Sequence, residues 1–422
     1  MEQLRALPPL VTSWEIVALK RKIADAQEGR SFLLQGGDCA ERFSECEAGL
    51  IANRIKVLLQ MSLLLAHGLQ QPVIRVGRFA GQYAKPRSTE TEVRDGVTLP
   101  CYRGDIVNAP AFSLAARTPD PQRMIRAHTY SAMTMNFVRA LIDGGFTDMH
   151  QIQHWNLDWL RRSARTDDYR ASMHALQHAL SFMEAWSGYR IDDAGRTGFY
   201  TSHEALLLPY EEASTRQVPR QQGWFNLGTH FPWVGVRTAA LEGAHVEYLR
   251  GIRNPVALKV GPQTRPDALL RTIERLNPDD EPGRLSLIHR MGADRIAEDL
   301  PSLLDAVTRA GHRVLWVCDP MHGNTETTAN GYKTRRFEAI HREVEQAFDL
   351  HAAAGTRLGG VHLELTGDDV TECTGGAGAL VDSDLERAYR SAVDPRLNYE
   401  QSLEIAMLIV RKHQQLEATR LR

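Results

Sequence analysis

The chain has 422 residues, 43% hydrophobic and 24% charged, which is ordinary for a soluble globular protein and enough for one large α/β barrel or two average domains. Lys plus Arg number 50 against 52 Asp plus Glu, and the net charge of −2 removes any bulk electrostatic reason to expect nucleic acid or an anionic membrane as partner. No apolar run approaches the ~20 residues of a membrane-spanning helix, and the start, MEQLRALPPLVTSWE, has no basic region followed by an apolar stretch.

Residues 1–30 have the pattern of an N-terminal helical arm. A rhythm follows, in which a short apolar run ends in glycine, polar residues and a charge, and a helical pattern comes next. The runs are FLLQGGD (Phe32–Asp38), VIRVGRF (Val73–Phe79), GFYTSHEAL (Gly198–Leu206), WFNLGTH (Trp224–His230), VALKVG (Val256–Gly261), LSLIHR (Leu285–Arg290), VLWVCDP (Val314–Pro320) and GGVHLEL (Gly359–Leu365). Helical spacing is clear at Glu45–Leu69, Arg295–Ala310, Tyr332–Ala354 and Tyr399–Leu416. Eight strand–helix units predict a (β/α)8 TIM barrel, with residues 1–422 as a single catalytic domain. Residues 80–197 interrupt the rhythm after the second strand. They carry two further helical patterns, IRAHTYSAMTMNFVRALI and YRASMHALQHALSFMEAWSG. An excursion of this size suits an active-site cover, a regulatory site or an oligomer contact. The five cysteines (Cys39, Cys46, Cys101, Cys318, Cys373) form no paired framework, which predicts free thiols in a reducing, cytoplasmic setting.

A barrel of this kind keeps its active site at the carboxyl ends of its strands. Those ends, with the segment before the last helix, deliver two sets of side chains. Cys39, His322, Glu364 and Asp394 offer one sulfur, one nitrogen and two carboxylates, a mixed set suited to Mn2+, Fe2+, Co2+ or Zn2+. Singly, the plainer readings are the thiol as a small buried hydrophobe, the His as a hydrogen-bonded polar group and Glu364 as a solvated strand end. Arg78, Lys85, Arg87, Arg237, Lys259 and Arg290 form the other set, and three of them close apolar runs where an unpaired charge is costly. Buried cations in such number call for phosphate or carboxylate. The residues therefore point to a metal-dependent barrel enzyme acting on small phosphorylated acids.

QGGDCAE (Gln35–Glu41), VGRFAGQYAKPRS (Val76–Ser88), GAH (Gly243–His245), NPVALKVGP (Asn254–Pro262), RMGADRI (Arg290–Ile296), CDPMHGNT (Cys318–Thr325), GGVHLELTGDDVTECTGG (Gly359–Gly376) and DPRLNYEQSLE (Asp394–Glu404) together resemble the class II 3-deoxy-D-arabino-heptulosonate 7-phosphate synthases, from about Leu33 onward. The resemblance implies condensation of phosphoenolpyruvate with erythrose 4-phosphate, the first step of the shikimate pathway. It places a divalent ion, Mn2+ or Co2+ before Zn2+ or Fe2+, on Cys39, His322, Glu364 and Asp394. Phosphoenolpyruvate falls to Arg78, Arg237, Lys259 and Arg290, and the aldose phosphate to Lys85, Arg87 and Ser88. Lys85, Arg237, Lys259 and Arg290 are the residues it implies in catalysis, and a homo-oligomer is the implied assembly. The resemblance breaks at Gly235-Val236-Arg237-Thr238, where the family carries Gly-Glu-Arg-Thr. The arm is also short beside the extension of the family's regulated members, so inhibition by aromatic amino acids through that extension is not expected, and a role in secondary metabolism fits. Competing expectations are the same chemistry on another aldose phosphate, such as an amino-sugar phosphate, a non-catalytic regulatory paralogue, and a barrel metallohydrolase, which would call for more His ligands.

Overall fold

Eight short parallel strands build the sheet: β1 (Phe32–Gly37), β2 (Val73–Arg78), β3 (Phe199–Thr201), β4 (Trp233–Val234), β5 (Val256–Val260), β6 (Leu285–His289), β7 (Leu315–Cys318) and β8 (Leu358–Glu364). This computed structural model describes residues 1–87, 89–144 and 198–420. The strand order is β3-β2-β1-β8-β7-β6-β5-β4. The two edges of that order meet: His230 N and Phe231 N donate to Thr201 O, Trp233 N donates to His203 O, and Ala205 N donates to Trp233 O. The sheet is thus a closed (β/α)8 barrel with no free edge.

The strands are apolar on both faces because both faces are covered. Inward residues such as Leu33, Ile74, Val76, Phe231, Ala257, Ile288 and Val317 form one buried cluster. Leu19, Ile23 and Ala26 belong to the same cluster, so the arm helix Ser13–Gln27 stoppers the amino-terminal mouth of the barrel. Thr12 and Glu15 start that helix with a reciprocal capping box. Gly283 lets it approach, since a Cβ there would stand 2.0 Å from Lys20 O. Outside the sheet, helices Ala48–Leu69 and Tyr399–Arg420 pack on one another. Ala48–Leu69 is long and apolar enough to cross a membrane, but Ile55, Val57, Leu58 and Leu65 are fully buried in the protein core.

Two expectations are corrected. WFNLGTH is not the fourth barrel strand: Trp224–Asn226 pairs antiparallel with Thr215–Gln217 outside the barrel, and Trp233–Val234 takes the place. A strand of two residues leaves no periodic signal in a sequence. The helix expected from Tyr332 begins at Phe337, because Lys333–Arg335 pairs antiparallel with Thr325–Thr327. In the insertion, a hairpin (Thr91–Arg94 with Val97–Pro100) precedes the helix Gln122–Asp143, which contains the first helical pattern expected there. The second expected helix of the insertion lies outside the described residues.

Candidate active site

Register decides which side chains meet. Gly37 pairs with Glu364 on one side and with Arg78 on the other, and Gln35 pairs with His362. Alternation along β8 therefore sends His362 and Glu364 into the barrel together. Gly37 has φ of 143°, and a Cβ there would lie 2.8 Å from Arg78 O. Glycine at this point lets the chain turn and deliver Asp38 and Cys39 over the barrel mouth.

Cys39, Glu364 and Asp394 offer ligand atoms that all lie within 4.8 Å of one another. His322 Nε2 is 2.9 Å from Glu364 Oε1. Cations surround this donor group. Lys85 Nζ is 2.6 Å from Cys39 Sγ and 2.6 Å from Asp394 Oδ2. Arg78 Nη2 is 3.0 Å and Arg335 Nη1 2.7 Å from the two oxygens of Glu364. Lys333 Nζ is 3.0 Å from Asp394 Oδ1. Burial alone would raise the Glu364 pKa, but His322, Arg335, Lys85 and Arg78 hold it well below the usual carboxylate range. Asp394 is likewise held low: burial opposes its ionisation, but Lys85 and Arg335 together overcome it. Burial, with the Glu364 carboxylate, pushes the Cys39 thiol up to about 12 against the pull of Lys85. One sulfur, one imidazole nitrogen and two ionised carboxylates at this spacing fit a borderline divalent cation, whose coordination would deprotonate the thiol.

Cys39, His322 and Asp394 line a cavity of about 570 Å3, an ordinary size for small-molecule sites. Its described walls carry seven cationic side chains, Arg78, Lys85, Arg87, Arg237, Lys259, Arg290 and Lys333, against two carboxylates, Glu204 and Asp394. Buried Lys259 is paired with Asp319, which also lies 2.7 Å from His322 Nδ1 and so orients that imidazole. Burial, reinforced by Arg78 and opposed by Asp319, lowers the Lys259 ammonium to about 8. Arg290 donates to His322 O. Arg78 Nη1 is 2.5 Å from His362 Nε2. Arg237 stands in the short turn Val236–Thr238 after β4.

Every described residue of the two sequence-derived sets is thus brought to one place, while Ser88 lies outside the described residues. Val236, 44% exposed, lines the wall beside Arg237. Four contributors were missed from sequence. Glu204 lines the cavity, burial raises its pKa, and its Oε1 has no hydrogen-bond partner among the described residues. Arg335 reaches Glu364 from the small hairpin after β7. Lys333, on the same strand, reaches Asp394. Arg396 makes a bidentate pair with Glu372 and bonds Asp38 Oδ1 at 2.7 Å, tying the chain beside Asp394 to the chain beside Cys39. Acidic residues recurring at the strand ends were the available signal for Glu204; for the arginines, only proximity in the fold marks them.

Residues 1–410 match the Class-II DAHP synthetase family. A phospho-2-dehydro-3-deoxyheptonate aldolase of Streptomyces coelicolor is 48% identical over 406 residues, covering 96% of this chain and 90% of its own. One from Neurospora crassa is 43% identical, with 98% and 89% covered. Phospho-2-dehydro-3-deoxyheptonate aldolase AroG of Mycolicibacterium smegmatis is 43% identical, with 96% and 88% covered.

Proposed function

The chain belongs to the class-II DAHP synthetase family, transferases that condense phosphoenolpyruvate with erythrose 4-phosphate in the first step of the shikimate pathway, and from that premise we propose how its residues divide the work. The observation that carries the assignment is the excess of cations on the cavity wall, seven against two carboxylates, which suits two phosphorylated substrates held side by side. The family depends on a divalent metal ion, and the donor group fits one. Cys39, His322, Glu364 and Asp394 would hold it; the donor set accommodates Mn2+, Fe2+, Co2+ or Zn2+, and the family resemblance puts Mn2+ or Co2+ first. When bound, the ion supplies Lewis-acid polarisation of the aldehyde oxygen.

The protein's own side chains do the rest. Arg237, Lys259 and Arg290, with Arg78, hold the carboxylate and phosphate of phosphoenolpyruvate and aim its C3 at the aldehyde carbon. Lys85 donates to the aldehyde oxygen as the C–C bond forms and negative charge gathers there. Arg87 and Ser88 hold the far phosphate of erythrose 4-phosphate. Water then adds at C2, and the hemiketal phosphate expels inorganic phosphate by C–O cleavage. Glu204, a lining carboxylate outside the donor group, suits taking the proton of that water. The whole chain acts as one catalytic domain, cytoplasmic and assembled as a homo-oligomer.

A phosphate-release assay tests this reading. Chelator-stripped protein is expected to release no phosphate from phosphoenolpyruvate plus erythrose 4-phosphate, and Mn2+ or Co2+ to restore release. Full activity without metal, or release only with a different aldose phosphate, would overturn it.

The lowered pKa of Lys259 gives a second test. Its ammonium is held below about 8 and lost as pH rises through that value, so anion binding weakens on the alkaline side. In the free enzyme kcat/KM for phosphoenolpyruvate should fall by about tenfold per pH unit above it. Lys259→Arg keeps its charge throughout and should abolish that alkaline limb, whatever it does to the plateau. An alkaline limb unchanged in Lys259→Arg would assign it elsewhere.

A further inference from the structure

On the far side of the barrel wall, between the sheet and the helix Phe337–Ala353, a second group of donors converges. His289 and Cys318 are register partners on β6 and β7, so their side chains leave the sheet on the same face. Glu343 meets them from that helix. Nδ1 or Nε2 of His289, Sγ of Cys318 and a carboxylate oxygen of Glu343 all lie within 4.8 Å of one another, and all three residues are 0% exposed. Neither ring nitrogen of His289 has a hydrogen-bond partner among the described residues. His351, ring to ring 5.7 Å from His289, is buried with its Nε2 unpartnered among the described residues as well. A buried imidazole with both nitrogens unsatisfied costs stability unless something occupies the space between the donors.

We propose that His289, Cys318 and Glu343 form a second metal site, separate from the catalytic donor group, which takes Zn2+. The chemistry of the donors selects the ion. Thiolate, imidazole and carboxylate are common zinc ligands. Charge balances as well, since one thiolate and one carboxylate neutralise a dication, and binding releases the thiol proton to solvent. Glu343 also accepts from Met291 N and Gly292 N through Oε1 and from Asn324 Nδ2 through Oε2. Those backbone groups follow Arg290, and Asn324 follows His322. An ion on Glu343 would therefore brace the two loops that carry Arg290 and His322, as a structural staple beside the catalytic cavity.

Metal counting separates this site from the first. The wild-type protein, loaded with Zn2+ and desalted, is expected to retain one more equivalent than Cys318→Ala or His289→Leu. A Cys39→Ala protein leaves the second cluster intact, and after Co2+ loading it should keep a near-ultraviolet thiolate-to-cobalt band that disappears in Cys39→Ala/Cys318→Ala. Equal metal content in the wild type and Cys318→Ala, with no such band in Cys39→Ala, would overturn the proposal and leave buried water as the occupant. Should Cys318→Ala fail to fold, the Cys39→Ala spectrum decides alone, because its cluster is unaltered. The outcome is independent of the aldose phosphate used at the catalytic site.

Discussion

Lys85→Met is expected to lower kcat by ~10²–10⁴-fold while divalent-ion affinity stays level or rises. Both halves follow from the position of the ammonium. Lys85 Nζ lies within 2.6 Å of Cys39 Sγ and of Asp394 Oδ2, two of the four atoms assigned to the metal. It therefore competes electrostatically with a dication for the same donors, and removing it relieves that competition. Methionine keeps most of the stem, so the walls of the cavity stay packed. What it cannot do is donate a proton toward the aldehyde oxygen. The contribution of Lys85 to charge in the site is large: burial would lower its pKa, yet Cys39, Asp394 and Glu364 hold it above the ordinary lysine value. Chelator competition and initial rates, measured on one preparation, check the two halves. A variant that loses metal and rate in proportion would show that Lys85 only keeps the donors in place.

How far the sequence could be read depended on the reach of each contact. Strands β1, β2 and β5 to β8 each bury several residues in a row, and those apolar runs stand out in the chain. The donors Cys39 and Glu364 and the cations Arg78, Lys259 and Arg290 follow from strand ends alone, since a barrel collects its carboxyl ends at one mouth. Strand β4 was invisible because two residues carry no period, and its place is fixed by hydrogen bonds from the loops after β3. The same limit applies to the support of the site. Arg335 meets Glu364 across 28 intervening positions and the helix Phe337–Ala353, and Arg396 meets Asp38 from the opposite end of the chain. Nothing local in KTRR or DPRLN announces a buried guanidinium. Arg335 nevertheless has no exposed surface, and Arg396 is nearly as well enclosed. Arg54 closes the circuit, with Nε 2.7 Å from Asp38 Oδ2 and Nη2 2.9 Å from Glu45 Oε2. Charges this deep are tolerated only when paired, so the network had to form together with the barrel, from residues whose partners lie elsewhere in the chain.

Glu364→Gln should cost the protein both its activity and a measurable part of its stability. The carboxylate lies at 0% exposure between His322 Nε2 at 2.9 Å, Arg78 Nη2 at 3.0 Å and Arg335 Nη1 at 2.7 Å. A glutamine of the same shape offers one neutral oxygen and turns an N–H toward groups that are themselves donors. Two buried guanidinium groups lose their counter-charge, and breaking a buried pair from one side costs ~3–5 kcal/mol. The pH dependence separates this electrostatic loss from a packing defect. The folded-state pKa of Glu364 is depressed well below its ordinary value of 4.5. Its stabilisation is therefore fully present above that value and is lost as pH falls toward the folded pKa, because the unfolded chain takes up the proton first. Urea midpoints should show the largest gap between wild type and variant near neutral pH. Below about pH 4 the gap should narrow, by at most ~1.4 kcal/mol per unit. A gap that holds constant down to about pH 3 would mean that the glutamine merely packs badly.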